Sequence, residues 1–236
     1  MKMNNEKIDP KYVTFKREPF FEIAREYINK DSKVLDIGAG DGYFSGYCHR
    51  DDFYLYDGNK EGVDILRKKY PNSFYGKLPN LPFENGFFDV IHCSHVIEHL
   101  RPDEVYETLK EIDRCLTNGG YIIISTPLLW ENFYTDLSHI KPYNPWMFNK
   151  YLTKVDDQIL TREKISNDYI VQRLEYRFRE ISIMESFYNL RNNLLITLLF
   201  ILTRILHKLG LRHYEKTGYT IVLRKVITND SQISHY

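Results

Sequence analysis

The segment Val34-Leu-Asp-Ile-Gly-Ala-Gly-Asp-Gly42 constrains the fold most. Lys33–Ile37 is a short apolar run of the kind that makes a parallel strand buried on both faces. Glycines at 38, 40 and 42 stop it and leave the strand end bare, so a ligand can approach the backbone. Amides in such a loop, just ahead of a helix, favour negative groups. No GK[ST] follows, which excludes the Walker type of phosphate loop. Asp57 lies 17 residues after Gly40 at the end of the next apolar run, where a carboxylate can accept both hydroxyls of a ribose. Taken alone, Asp57 would better suit a turn or helix cap before Gly58.

Around this segment, strand and helix patterns alternate. Helix is expected over Glu18–Asn29, from Tyr43, over Lys60–Tyr70 and over Pro102–Leu116. Strands are expected at Phe53–Tyr56, Ser73–Tyr75, Phe88–Cys93 and Tyr121–Ser125. This order predicts an α/β fold, a parallel sheet covered on both faces. Beyond Pro127 the pattern loosens. Residues 128–172 carry Trp130, Phe133, Tyr134, Tyr143, Trp146, Phe148 and Tyr151, read as an acceptor-side insert in which most of the rings form a satellite core. Arg173–Met184 and Gly218–Val226 read as strands, and the three arginines at 173, 177 and 179 read first as a solvated strand edge with Glu175 and Glu180 interleaved, with phosphate binding as the alternative. Phe187–Leu209 reads as an amphipathic apolar helix, too short and too charged at its end to span a bilayer. It suits burial in protein first, with a membrane interface or a second subunit as the alternatives. Residues 1–17 and 228–236 read as polar ends.

With 32 Lys+Arg against 32 Asp+Glu, the 236-residue chain carries no net charge, which weighs against a large nucleic-acid footprint. Cys48, Cys93 and Cys115 form no CxxC pair, so neither a structural zinc site nor a disulfide framework is indicated. The start lacks a secretion signal, and a cytoplasmic protein is the expectation, with a membrane-peripheral one as the second reading.

The ordered set VLDIGAGDGYFS, LYDGNKEG, LPFENGFFDVIHCSHVIEHL and LKEIDRCLTNGGYIIISTP, over residues 33–127, resembles class I S-adenosylmethionine-dependent methyltransferases. The resemblance implies a Rossmann-like, doubly wound, seven-stranded sheet, mostly parallel, with an antiparallel last strand. It also implies S-adenosylmethionine as cofactor, held at Gly38, Ala39, Gly40, Asp57 and Gly58, with Asp36, Gly42 and Ser94 in the same site. The family often places an acid four residues before the Leu-Pro-Phe. This chain has Lys77 there, which leaves backbone groups around Lys77 and Leu78 for the adenine.

Methyl transfer to a hydroxyl also needs a base or a metal. If Ser94–His99 is helical, His95, Glu98 and His99 share one face, and His139 follows the next strand at the same sheet edge. The pattern resembles that of metal-assisted plant small-RNA 2′-O-methyltransferases and quinone-biosynthetic O-methyltransferases, with His95 where those carry Glu. His95, His99 and His139 are therefore the expected catalytic set, and with Glu98 the set for a divalent metal if one binds. Equally, Glu98 can cap backbone amides and His99 can pack under the sheet edge. The expected acceptor is an oxygen on a sugar, glycan or lipid-linked small molecule. RNA 2′-O-methylation and a non-catalytic, cofactor-binding partner subunit are the alternatives.

Overall fold

The computed structural model describes residues 8–154, 161–181 and 212–226, together with Thr197, Ile201 and Leu202. Seven strands form one sheet: β1 (Val34–Ile37), β2 (Tyr54–Asp57), β3 (Ser73–Tyr75), β4 (Phe88–Ser94), β5 (Leu116–Pro127), β6 (Tyr169–Ile181) and β7 (His213–Lys225). Their order is β3-β2-β1-β4-β5-β7-β6. The first five run parallel, and β7 is antiparallel both to β5 and to β6. This is the mostly parallel, doubly wound sheet the sequence implied, and the strand order reverses between β1 and β4.

Five helices are described: α1 (Glu18–Arg25), α2 (Tyr43–Tyr47), α3 (Lys60–Leu66), α4 (Pro102–Cys115) and α5 (Trp146–Leu152). Period-2 alternation divides the core between the two faces of the sheet. Leu35, Ile37, Ile91, Cys93, Ile122 and Ile124 pack with Val105, Leu109 and Ile112 of α4. Val34, Val90, Ile123 and Val222 pack with Phe20, Phe21 and Ile23 of α1 and Phe44 of α2.

Several boundaries differ from the sequence reading. Helix α1 stops at Arg25, short of Asn29. Strand β6 begins four residues early, at Tyr169, and β7 five residues early, at His213. The early start of β6 pairs Tyr169–Val171 with Leu223–Lys225, and that of β7 pairs His213–Lys216 with Phe178–Ile181. The added part of β7 carries Glu215 and Lys216, and such a charged, half-solvated end looks like loop in a sequence. The N-terminal lead-in is partly structured: Tyr12 is buried, and Val13 bridges to Phe178 of β6. The insert rings divide. Phe133, Tyr143 and Phe148 are buried, whereas Tyr134 and Trp146 are exposed. The three cysteines are free. The helix expected at 187–209 lies outside the described residues, except for Thr197, Ile201 and Leu202, which are helical. Among the described residues, no helix is long and apolar enough to cross a membrane.

Candidate active site

The crevice opens at the carboxyl ends of β1, β2, β4 and β5, beside the point where the strand order reverses, the place where ligands bind in open α/β sheets. Gly38 and Gly40 both take left-handed backbone, at φ +71° and +57°. A side chain at Gly38 would overlap Val96 on the loop after β4, and a Cβ at Gly40 would meet nothing within 4 Å. The first glycine therefore lets two loops touch, and the second leaves open space above the backbone.

Asp57 ties the loops together. Its carboxylate accepts from the Gly40 amide at 2.9 Å and from the Asn59 amide at 2.8 Å. A carboxylate has about four lone-pair positions, so acceptor capacity remains for sugar hydroxyls. Gly58 follows at an exposed position. The chain beyond β3 is pinned to the same rim, because the Gly76 amide donates to the Asp57 carbonyl at 3.1 Å and the Tyr56 hydroxyl to the Asn80 carbonyl at 2.7 Å. Lys77 and Leu78 lie between these two anchors. Ala39 and Gly42 are buried in the loop, and Ser94 is half-buried at the end of β4. An open loop, bare of side chains at Gly38 and Gly40 and facing a carboxylate, fits a nucleoside carrying an amino-acid arm.

Asp36 does not face this crevice. It is 3% exposed, and its Oδ1 lies 2.7 Å from Nδ1 of His92, its direct partner across β1 and β4. The His92 ring stacks on Phe44 at 3.9 Å. Asp36 thus braces the strand beneath the glycine-rich loop, as Val34, two residues back, braces α1.

The segment after β4 is not the continuous helix face that would align three side chains. His95 takes a left-handed φ of +56°, and only Ile97–His99 form a 3₁₀ turn. His95 is consequently swung away from His99. Its Nε2 accepts from Arg177 Nη1 at 3.3 Å, which places the ring proton on Nδ1, 3.2 Å from Glu98 Oε1. That contact is close but off the line of a hydrogen bond, so Oε1 is buried without a proper donor. The other oxygen, Oε2, accepts from Thr126 Oγ1 at 3.1 Å. Burial, and then the Arg177 charge, hold the His95 imidazole below its ordinary pKa. Burial would raise the Glu98 carboxyl, but the adjoining His95 outweighs it and keeps the group low. Burial, and then Arg17, bring the Arg177 guanidinium down to about 10, still charged at neutral pH. The result is a cation, a neutral ring and an anion in a row.

His99 and His139 stand on the other side of Glu98, their ring centres 4.9 Å apart. His139 Nδ1 donates to the Phe133 carbonyl at 2.6 Å. Ser138 spends its hydroxyl hydrogen on Asp136, at 2.6 Å, so His99 Nδ1 is the donor to the Ser138 oxygens at 3.0 and 3.2 Å. Both rings are thereby held in the tautomer that leaves Nε2 with a free lone pair. One ligand atom from each of Glu98, His99 and His139 lies within 4.8 Å of the other two. Three of the four residues of the expected metal set are brought together, and His95 is not among them. The sequence reading missed Thr126 and took Arg177 for part of a solvated strand edge, whereas its side chain reaches His95 and its Nε is buried. Arg177 had a signal in the alternation Arg173, Glu175, Arg177, which puts charge along one side of a strand, but not the reach that takes it to His95.

Residues 14–163 match the methyltransferase domain family, 150 of the 236 residues. The chain belongs to that family. Its fold is that of class I S-adenosylmethionine-dependent methyltransferases. An S-adenosylmethionine-dependent methyltransferase of Archaeoglobus fulgidus superposes with a TM-score of 0.60 at 22% identity, over 89% of this chain and 95% of that one. One from Aquifex aeolicus gives 0.52 at 17% identity, over 93% and 100%. Among curated relatives, a demethylmenaquinone methyltransferase of Chlorobaculum tepidum is 27% identical over 44% of this chain and 44% of its own. A tRNA (carboxymethyluridine(34)-5-O)-methyltransferase of Xenopus tropicalis is 32% identical over 40% of this chain and 15% of its own. The chain spans less than half the length of both relatives.

Proposed function

We propose that this chain transfers a methyl group from S-adenosylmethionine to an oxygen of a sugar, glycan or lipid-linked small molecule. One observation carries the reading: His99 and His139 meet at the sheet edge that also holds the glycine-rich loop and Asp57, each ring with its Nδ1 committed and its Nε2 without a hydrogen bond among the described residues, the Asp136 carboxylate standing 3.9 Å from that of His139. Bound S-adenosylmethionine supplies a methyl group already activated by its sulfonium, so alignment accounts for much of the rate. The Gly38–Gly42 loop and Asp57 hold the donor. An Nε2 lone pair of His99 or His139 takes the proton of the acceptor hydroxyl. His95 is a poor base here, because Arg177 occupies its only lone pair. The exposed rings of Tyr134 and Trp146 give the neighbouring insert flat faces suited to a sugar or quinone. The likeness to a demethylmenaquinone methyltransferase supports a lipid-linked acceptor, and the zero net charge speaks against RNA.

A metal-assisted form of the reaction has separate support. The buried Glu98 Oε1 has no proper donor, and both imidazoles carry the backbone-carbonyl bonds on Nδ1 that typically orient metal-bound histidines. Glu98, His99 and His139 would hold a divalent ion, which would supply a Lewis acid to lower the pKa of the acceptor hydroxyl.

Labelled donor is offered to lipid, glycan and RNA fractions, with and without chelator. Label in lipid or glycan supports the proposal. Label confined to RNA overturns the acceptor assignment, and label in none favours a non-catalytic partner subunit. Unchanged transfer in chelator removes the metal.

A further inference from the structure

Several large apolar side chains stand in water along one rim of the crevice. Leu137 is 100% exposed, and Phe15, Leu129, Tyr134 and Ile140 are each 46% or more exposed. Contacts join them. The Phe15 ring lies 5.9 Å from that of Trp130, the Tyr134 ring 4.8 Å from that of Phe133, and the Phe133 ring 4.7 Å from that of His139. The Ile140 amide donates to the Glu98 carbonyl at 2.8 Å. Leu137 sits at the tip of the turn that Ser138 closes on Asp136, with bonds of 2.9 and 2.6 Å. The patch therefore borders the His99–His139 pair. Single exposed apolar residues mean little, but a run of them on one rim marks a binding surface.

The same edge carries a basic, apolar stretch of chain. Strand pairing places the end of β6, at Ile181, and the start of β7, at His213, beyond the end of β5. Arg179, near that end, donates to Glu131 at 2.9 Å and lies over the Trp130 ring at 5.0 Å, so the strand end touches the apolar loop. Residues 182–211, in the connection between these strand ends, hold Arg191, Arg204 and Lys208 against Glu185 as their one acid. They also hold the run Leu194–Leu202, of which Ile201 and Leu202 are helical and exposed. Lys16 and Arg17, exposed after Phe15, and Lys141, exposed after Ile140, add cations to the rim. Glu131 and Glu215 pair with Arg179, and Glu180 with Arg212, which leaves Glu18, Asp136 and Glu185 against these cations.

We propose that this edge docks on an anionic lipid surface, with Leu129 and Leu137 entering the headgroup layer and the crevice opening onto the bilayer. Apolar side chains that protrude singly, rimmed by lysine and arginine, suit insertion among charged lipids, whereas a protein partner asks for a densely packed apolar centre. Trp130 and Tyr134 are of the ring type that collects at membrane–water boundaries. The route this gives a lipid-linked acceptor rests on the methyl-transfer reading; the docking itself does not.

The full chain is sedimented, without donor, with phosphatidylcholine vesicles and with vesicles that also contain phosphatidylglycerol. Wild type is compared with Leu137→Asp, with Leu129→Asp/Leu137→Asp and with Ile65→Asp, a control at an exposed apolar residue of α3. Melting temperatures check that each is folded. Partition onto the anionic vesicles should fall roughly tenfold or more in the double variant, less in Leu137→Asp, and not in Ile65→Asp. Added salt should weaken wild type. No pelleting of wild type with anionic vesicles, equal partition of wild type and the double variant, or an equal loss in Ile65→Asp overturns the proposal. Equal binding to both kinds of vesicle overturns its anionic part. A wild type that is dimeric by sedimentation velocity and ignores vesicles, with a monomeric double variant, gives the face to a second copy of this chain and also overturns it. S-adenosylhomocysteine binding is measured separately. Its absence in a chain that pellets with vesicles removes the donor reading and leaves the docking surface in place.

Discussion

In the proposed donor site Asp57 and Gly38 would act by different physics, and their variants should fail differently. Asp57 offers a charged acceptor that already holds two backbone amides. Hydrogen bonds to charged groups are worth about 1.5–3 kcal/mol each. Asp57→Ala should therefore weaken S-adenosylhomocysteine roughly 10- to 100-fold by calorimetry, with extra loss wherever the freed loop moves. Asp57→Asn keeps an acceptor for one amide and should lose less. Gly38 fails sterically, since alanine there must hold φ +71° and overlap Val96. Strain of this kind costs on the order of 1–3 kcal/mol. Gly38→Ala should lower the melting temperature as well as donor affinity. Adding Val96→Ala should recover part of the stability, because it removes the overlap and leaves the backbone strain. If the double variant is no more stable than Gly38→Ala, the overlap with Val96 is not what makes glycine necessary.

Helix α2 has only five residues, too few to be stable by propensity, so packing must hold it. Phe44 does most of this: it is 2% exposed, stacks on His92 and meets Phe21 and Phe53. Phe44→Ala should cost about 3–5 kcal/mol in denaturant unfolding, as large-to-small aromatic changes in cores do. Because α2 continues directly from Gly42, donor affinity should fall with it. Retention of full affinity at lowered stability would show that the loop is held from the Asp57 side alone. This element also marks where the sequence stops being legible. The strand, the glycines and the spacing to Asp57 are local signals, and the structure keeps each of them at the crevice. The partner of Asp36 was not legible, because His92 stands 56 residues away and only the β1–β4 register sets them opposite each other. The left-handed turn at His95 was hidden as well. Spacing alone placed His95, Glu98 and His99 on one face; with a φ of +56° at His95 its ring touches Glu98 but does not join the cluster that Glu98 forms with His99 and His139. Arg177 lay further out of reach, since its neighbours in sequence are paired, solvated charges.

At the scale of the molecule, the row Arg177–His95–Glu98–Thr126 fastens β6, the loop after β4 and β5 to one another, across 82 residues of sequence between its first two members. Its protonation should therefore set how stability depends on pH. His95 is held below its ordinary value of 6.5 when folded. The unfolded chain binds that proton first, so stability should fall as pH drops from about 6.5 toward the folded value. Glu98 is held below its ordinary value of 4.5. Here too the unfolded chain takes the proton first, and a second decline should begin near pH 4.5. Each decline is limited to one proton, a slope of at most about 1.4 kcal/mol per pH unit. His95→Gln removes the first titration, and Glu98→Gln the second. Denaturant unfolding of wild type and both variants from pH 8 to pH 4 would separate the two. His95→Gln should have a shallower slope below pH 6.5 than wild type, even if it is less stable throughout. An equal slope in both would mean that the proton enters elsewhere and that the row is not the acid-sensitive joint of the fold.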